Sequence, residues 1–196
     1  MLDALDQIEL VLIGGSAGSL PVLIHLLKSL DSHFPIPIVI ILHRQRSTLS
    51  ELSKIISAAV PSKKIMEPDD KDAVEVHGIY IAPQNYHLLI EKDHTFSLDY
   101  SEAIQYSRPS IDVTFESAAW VYGDKLVSIL LSGANNDGTS GLRAISESGG
   151  VTIAQDPAMA EYKTMPLSAK NNVKGIKVLE PALIVDFLHG LVTKGK

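Results

Sequence analysis

A serine, a histidine and an aspartate stand where they can do chemistry together. Gly14-Gly15-Ser16-Ala17-Gly18 joins an apolar run to an apolar-striped stretch. It spells the G-x-S-x-G pattern that exposes a serine on a sharp strand-to-helix turn. Small residues on either side let the backbone turn tightly and leave the hydroxyl accessible. A serine hydroxyl is a poor nucleophile until a base takes its proton, and imidazole titrates near neutral pH. A carboxylate then holds the ring's tautomer and stabilises the imidazolium. His43 and Asp137 are the residues that could supply those two groups. Plainer readings of the same turn are a simple strand-to-helix connection and a phosphate cradle at a helix N-terminus.

The elements around these residues decide whether they can meet. Ile8 to Ile13 and Ile36 to Leu42 read as buried strands, apolar almost throughout, as strands covered on both faces must be. Leu20, Leu23, Ile24, Leu27 and Leu30 recur at helical spacing between them. Thr48 with Glu51 forms a capping box, and Leu49, Leu52, Ile55, Ile56 and Ala59 stripe a second helix that Pro61 ends. Further strands are expected at Gly78 to Ala82, Leu126 to Leu131, Val151 to Ala154 and Ile176 to Leu179. Helices are expected from Ile111 with Ser110 as cap, around Leu142 and Ile145, near Met165 to Asn171, and from Pro181. Tyr86 to Glu91 and Thr95 to Asp99 form the arms of a hairpin, an added antiparallel edge. Glu67 to Asp72 reads as a solvated charged connection. The expected fold is therefore α/β: a doubly wound, mostly parallel sheet with helices on both faces and an added antiparallel hairpin.

In such a sheet Ser16, His43 and Asp137 each fall just past the carboxyl end of a parallel strand, where ligand crevices form. The order Ser–His–Asp differs from the Ser–Asp–His of α/β-hydrolases. Asp112, Asp124 and Asp156 also stand near element ends, so the residues alone leave the acid open. His25 reads as a structural helix residue with no partner at ligand spacing, His33 carries no signal, and His87 reads as a packed or surface histidine of a hairpin arm.

Composition removes other classes. The 196 residues are 45% hydrophobic and 20% charged, the profile of one soluble domain. A net charge of −6 argues against general nucleic-acid binding. The absence of cysteine excludes disulfides, thiol catalysis and cysteine-held zinc. No basic signal region opens the chain and no apolar run is long enough to span a membrane. Neither the dinucleotide fingerprint nor a Walker sequence is completed after Gly14-Gly15, and no metal-ligand cluster is spaced along the chain.

Several segments, in order, resemble the catalytic domain of the chemotaxis receptor methylesterases (protein-glutamate methylesterase, CheB). They are Gly15 to Gly18, Gly78 to Leu88, Ser107 to Ala119, Ser132 to Gly138, Ile153 to Asp156 and Met165-Pro166. The resemblance implies Ser16 as nucleophile, His43 as base and Asp137 as the acid, with Asp112 in a structural segment. By position in the two loops, the backbone amides of Ala17 and Ala134 are the candidate oxyanion donors. The activity implied is hydrolysis of glutamate methyl esters on the cytoplasmic domain of methyl-accepting chemoreceptors, releasing methanol, with deamidation of receptor glutamines beside it. No cofactor is implied, and the setting is the cytoplasm. The alternative is a binding or signalling module of the same fold without turnover.

Departures from the family pattern lie along the cleft. Ala17-Gly18-Ser19 replaces threonine and two glycines, Arg44-Gln45 replaces Met-Pro, and Ala134 replaces methionine. Arg44 and Arg46, beside His43, are expected to dock an acidic receptor helix. Relatives usually carry a phosphorylated receiver domain ahead of the esterase. Residues 1–196 are expected to form a single catalytic domain without one, leaving a receiver-type regulator to act in trans.

Overall fold

Leu10, Val11, Leu12 and Ile13 are fully buried and alternate between the two faces of a sheet. Val11 and Ile13 enter one apolar core, while Leu10 and Leu12 enter another, so this strand must be covered on both sides. The computed structural model, which describes residues 8–44, 51–105 and 107–193, builds that arrangement. The elements run β1 (Leu10–Gly15), α1 (Leu20–Ser29), β2 (Ile38–Leu42), α2 (Leu52–Ala59), β3 (Ile65–Met66) and β4 (Ile79–Ile81). They continue β5 (His87–Ile90), β6 (Phe96–Asp99), α3 (Ile111–Tyr122), β7 (Leu126–Leu130) and α4 (Thr139–Glu147). The last are β8 (Val151–Gln155), α5 (Thr164–Asn172), β9 (Lys177–Leu179) and α6 (Pro181–Thr193).

Seven strands form one parallel sheet in the order β3-β4-β2-β1-β7-β8-β9. After β1 the chain builds outward through β2, then returns to place β7 on the other side of β1. That reversal makes the carboxyl end of β1 the topological switch point, where a crevice opens between diverging connections. Leu23, Leu26 and Leu27 of α1 are fully buried in the first core, beside Ile56 of α2 and Leu188 of α6. Burying each such side chain contributes about 1.5–3 kcal/mol. Ile111 and Phe115 of α3, Leu142 of α4 and Met165 of α5 fill the second core.

Three expectations are corrected. The hairpin forms, but β5 and β6 are a separate two-stranded sheet and not an edge of the main one. Its inward residues Leu88, Ile90 and Phe96 belong to the second core, so it lies over the sheet face beside α3. Thr114 Oγ1 donates to the Leu88 carbonyl at 2.6 Å and the Ile90 amide to Ser117 Oγ at 3.1 Å, tying it to that helix. Second, the charged connection is solvated as expected, with Glu67 and Asp69 to Asp72 exposed, but it is also tied to the hairpin. The Lys71 amide donates to the Phe96 carbonyl and the Leu98 amide to Asp70 Oδ1 at 3.0 Å, so the loop pairs with β6. Third, an additional short strand forms at Ile65–Met66, two residues being too few to carry a periodicity. The expected cap Thr48 lies outside the described residues, while Glu51 directly precedes α2.

Candidate active site

Ser16 follows β1 directly, between β2 on one side and β7 on the other. The Ser16 amide donates to the Ser132 carbonyl at 2.9 Å, and the His43 amide donates to the Gly15 carbonyl at 3.2 Å. The parallel register pairs Gly15 with Leu42, so Ser16 and His43 are the next residues of adjacent strands. Such neighbours lie about 4.8 Å apart across the ladder. Close packing demands the glycines here. A Cβ on Gly14 would stand 2.7 Å from Ile111 Cγ2, and Gly18 has φ +74, a conformation only glycine adopts freely. The turn then feeds α1, whose entry Ser19 secures by donating its hydroxyl to the Ser16 carbonyl at 2.6 Å.

His43 Nε2 lies 2.7 Å from Asp137 Oδ2. An ionised carboxylate only accepts, so Nε2 carries the ring proton and Nδ1 is left as the free base. Asp137 is fully buried and is held from several directions. Ile111 N donates to Oδ2 at 2.8 Å, while Asp112 N, Gly138 N and Ser110 Oγ donate to Oδ1, each at 3.0 Å. Burial alone would push its carboxyl up. The hydrogen bond from His43, the amides of Asp112 and Ile111 and the charge of His43 outweigh burial and hold it below the ordinary carboxylate value.

Asp137 therefore caps α3 from a distant loop. The sequence pattern points to Ser110 as the cap, but Ser110 makes no side-chain cap bond and turns its hydroxyl to Asp137. The positive end of the α3 dipole adds to the same stabilisation. Of the four carboxylates that stood near element ends, Asp137 is the one bonded to His43. Asp112 Oδ1 instead accepts the Gly141 amide of α4 at 2.8 Å, and Asp156 Oδ1 accepts the Ala158 amide. Asp124 is exposed and precedes β7, at the other edge of the sheet. Burial pushes the Asp112 carboxyl up, the Gly141 amide partly opposes this, and nearby Asp137 raises it further, to about 6. The Ser16 hydroxyl makes no hydrogen bond among the described residues, so the structure brings His43 and Asp137 into contact and sets Ser16 beside them.

Two amides at this edge, those of Ala17 and Ala134, make no hydrogen bond among the described residues. In a trans peptide the N–H and C=O point in opposite directions. The Ser16 carbonyl is held by Ser19, which turns the Ala17 N–H away from α1. The Gly133 carbonyl is held by the Met165 amide at 2.9 Å, which turns the Ala134 N–H away from α5. Ser132, given no role of its own by the sequence, joins the two loops. Its hydroxyl donates to the Ala17 carbonyl at 2.8 Å and accepts the Tyr162 amide at 2.9 Å.

Arg44 is not a surface docking group, contrary to expectation. Its side chain is 2% exposed and donates to Glu67 Oε1 at 2.8 Å, so the guanidinium points inward. Arg46 lies outside the described residues. A cavity of about 510 Å³, lined by Ile8, Pro37, Val74, Tyr122 and Leu191 among others, opens at the other edge of the sheet. Eight residues of extended chain separate Ile8 from Ser16, roughly 25 Å. Among the described residues no three His, Asp or Glu side chains converge as metal ligands would, and no helix is long and apolar enough to cross a membrane.

A serine, an imidazole and a buried carboxylate gathered at the switch point of a doubly wound sheet define a protein with the parts of a serine hydrolase, arranged unlike an α/β-hydrolase. The particular family follows from comparison with known proteins: residues 11–188 match the CheB methylesterase family, and the chain belongs to it. A Leptospira interrogans relative is 45% identical over 161 residues, covering 82% of this chain and 83% of its own length. A Thermotoga maritima relative, named protein-glutamate methylesterase/protein-glutamine glutaminase, is 31% identical over 163 residues, covering 82% of this chain and 47% of its own. The chain thus spans about half the length of that relative. The crystal structure of the Thermotoga maritima CheB methylesterase catalytic domain superposes with a TM-score of 0.85 at 29% identity, covering 94% of this chain and 99% of that one.

Proposed function

We propose that this chain is a serine esterase that hydrolyses methyl esters of protein glutamate residues, with the cytoplasmic domain of a methyl-accepting chemoreceptor as its substrate. The observation that carries the reading is the hydrogen bond to buried Asp137 from Nε2 of His43, the residue next to Ser16 at the end of the adjacent strand. Nδ1 of His43 takes the Ser16 proton as Oγ adds to the ester carbonyl, and Asp137 balances the imidazolium charge. The Ala17 and Ala134 amides receive the developing oxyanion, a role supported by their lack of other partners among the described residues. His43 then gives its proton to the leaving oxygen, and methanol departs. A water molecule, deprotonated by His43, attacks the acyl-serine and frees the glutamate.

The same cycle on a glutamine side chain releases ammonia, which accounts for deamidation as a second activity. The names of the relatives support both. Such a receptor domain places the enzyme in the cytoplasm, where a receiver-type protein could regulate it in trans. The test is methanol release from methylated chemoreceptor membranes and ammonia release from their glutamine-bearing form. Methanol above the no-enzyme rate is expected. Binding to the receptor with no release would instead establish a module without turnover.

A further inference from the structure

Three of the donors on Asp137 come from the consecutive residues Ser110, Ile111 and Asp112. What fixes those three is the peptide plane just before them, between Pro109 and Ser110. Ser107 Oγ donates to the Pro109 carbonyl at 2.8 Å on one side, and the Ser110 amide donates to His87 Nδ1 at 3.2 Å on the other. His87, the first residue of β5, is fully buried, and its Nε2 lies 3.0 Å from the Glu102 carbonyl. A carbonyl only accepts and an amide N–H only donates, so His87 carries its proton on Nε2 and keeps Nδ1 bare. A buried imidazole with both nitrogens committed in opposite senses is fixed in tautomer and orientation.

We propose that His87 and Ser110 are positioning residues of the site. They extend the Ser16–His43–Asp137 constellation inward to the hairpin, as one line of directed bonds. Glu102 carbonyl accepts from His87, His87 accepts from the Ser110 amide, Ser110 hydroxyl donates to Asp137, and Asp137 accepts from His43. Asp99 is the residue paired with His87 across the hairpin, in β6, and is exposed. The hairpin thereby carries the residue that sets the angle at which α3 presents its first amides to Asp137. This inference rests on the esterase reading above.

Two substitutions of one residue separate positioning from packing. In His87→Asn the side-chain oxygen takes the place of Nδ1 and still accepts from Ser110, while the donor to Glu102 is lost. In His87→Gln the side-chain nitrogen takes the place of Nε2 and still donates to Glu102, while the acceptor for Ser110 is lost. Each variant gives up one hydrogen bond, so both lose a similar amount of thermal stability. In the methanol-release assay His87→Asn is expected to keep kcat within about threefold of the parent. His87→Gln is expected to fall roughly tenfold at unchanged KM, the effect of one hydrogen bond on the reacting geometry. Ser110→Ala should lose a similar factor and Ser110→Thr should recover it.

Equal kcat in the two His87 variants, or kcat that merely follows melting temperature across the set, would overturn the proposal. The parent and Ser16→Ala are run beside them. Loss of activity in Ser16→Ala with indistinguishable His87 variants removes the positioning role alone. Unchanged activity in Ser16→Ala removes the esterase reading on which it rests.

Discussion

Replacing Asp137 by asparagine tests the polarity of the site more sharply than deleting it. The carboxylate accepts from His43 and Ile111 on Oδ2, and from Ser110, Asp112 and Gly138 on Oδ1. An asparagine must set an NH2 group on one of those two sides. On the Oδ1 side it would face two backbone N–H groups that cannot reverse. On the Oδ2 side it would face one, from Ile111, together with His43, whose ring can change tautomer. The second orientation therefore wins, and His43 then accepts at Nε2 and carries its proton on Nδ1. That is the nitrogen required as base toward Ser16. The variant should keep its fold and lose about 1–3 kcal/mol of stability from the unmatched Ile111 amide. Turnover should fall roughly 10⁴-fold, as when other triads lose the correct tautomer, equivalent to about 5 kcal/mol of barrier. The assay is single-turnover methanol release from methylated receptor, alongside a thermal melt. A loss below about tenfold in a folded variant would show that Asp137 does not set the His43 tautomer.

Other predictions follow from groups around the site. Asp112 titrates near 3.8 in the unfolded chain but at about 6 in the folded one, so the native protein holds this proton more tightly. Its contribution to stability is full below about pH 4 and is lost as pH rises through about 6, on the order of 2–3 kcal/mol. Asp112→Asn keeps an oxygen for the Gly141 amide, and denaturant melts between pH 4 and 8 should show that this part of the pH dependence has gone; an unchanged profile would place it elsewhere. Arg44 is buried with Nε and Nη2 unpartnered among the described residues, so Arg44→Met should leave the melting temperature unchanged or raise it. A fall of more than a few degrees would show that the pair with Glu67 outweighs that burden. Gly14→Ala pushes a methyl into Ile111 Cγ2 and should cost about 1–3 kcal/mol. It should lower turnover as well, since Ile111 also supplies an amide to Asp137; full activity would show that α3 can shift without moving the acid.

The parallel sheet was legible because its central strands are continuous apolar runs with glycine turns at their ends, and those signals are local. Ser16, His43 and Asp137 were legible as strand-end residues for the same reason. What the sequence hid is long-range. Ser110 looks like a helix cap, since a serine before Ile111 and Asp112 usually is one, yet the cap arrives from Asp137, 27 residues later. His87 reads as a packed histidine, and nothing in its neighbours announces that its two nitrogens bond to Glu102 and Ser110. Arg44 looks like a surface cation beside His43 until Glu67, on the far side of α2, turns it inward. In each case the deciding partner is a hydrogen-bonding group brought near by topology, which periodicity does not record.

The most direct test of the central claim compares this chain with its Ser16→Ala variant in methanol release from methylated chemoreceptor membranes. Alanine removes the only atom asked to form a bond and leaves the His43–Asp137 pair in place. Release by the parent is expected, with a loss of roughly 10³-fold or more in the variant. Equal release by the two would contradict the central claim.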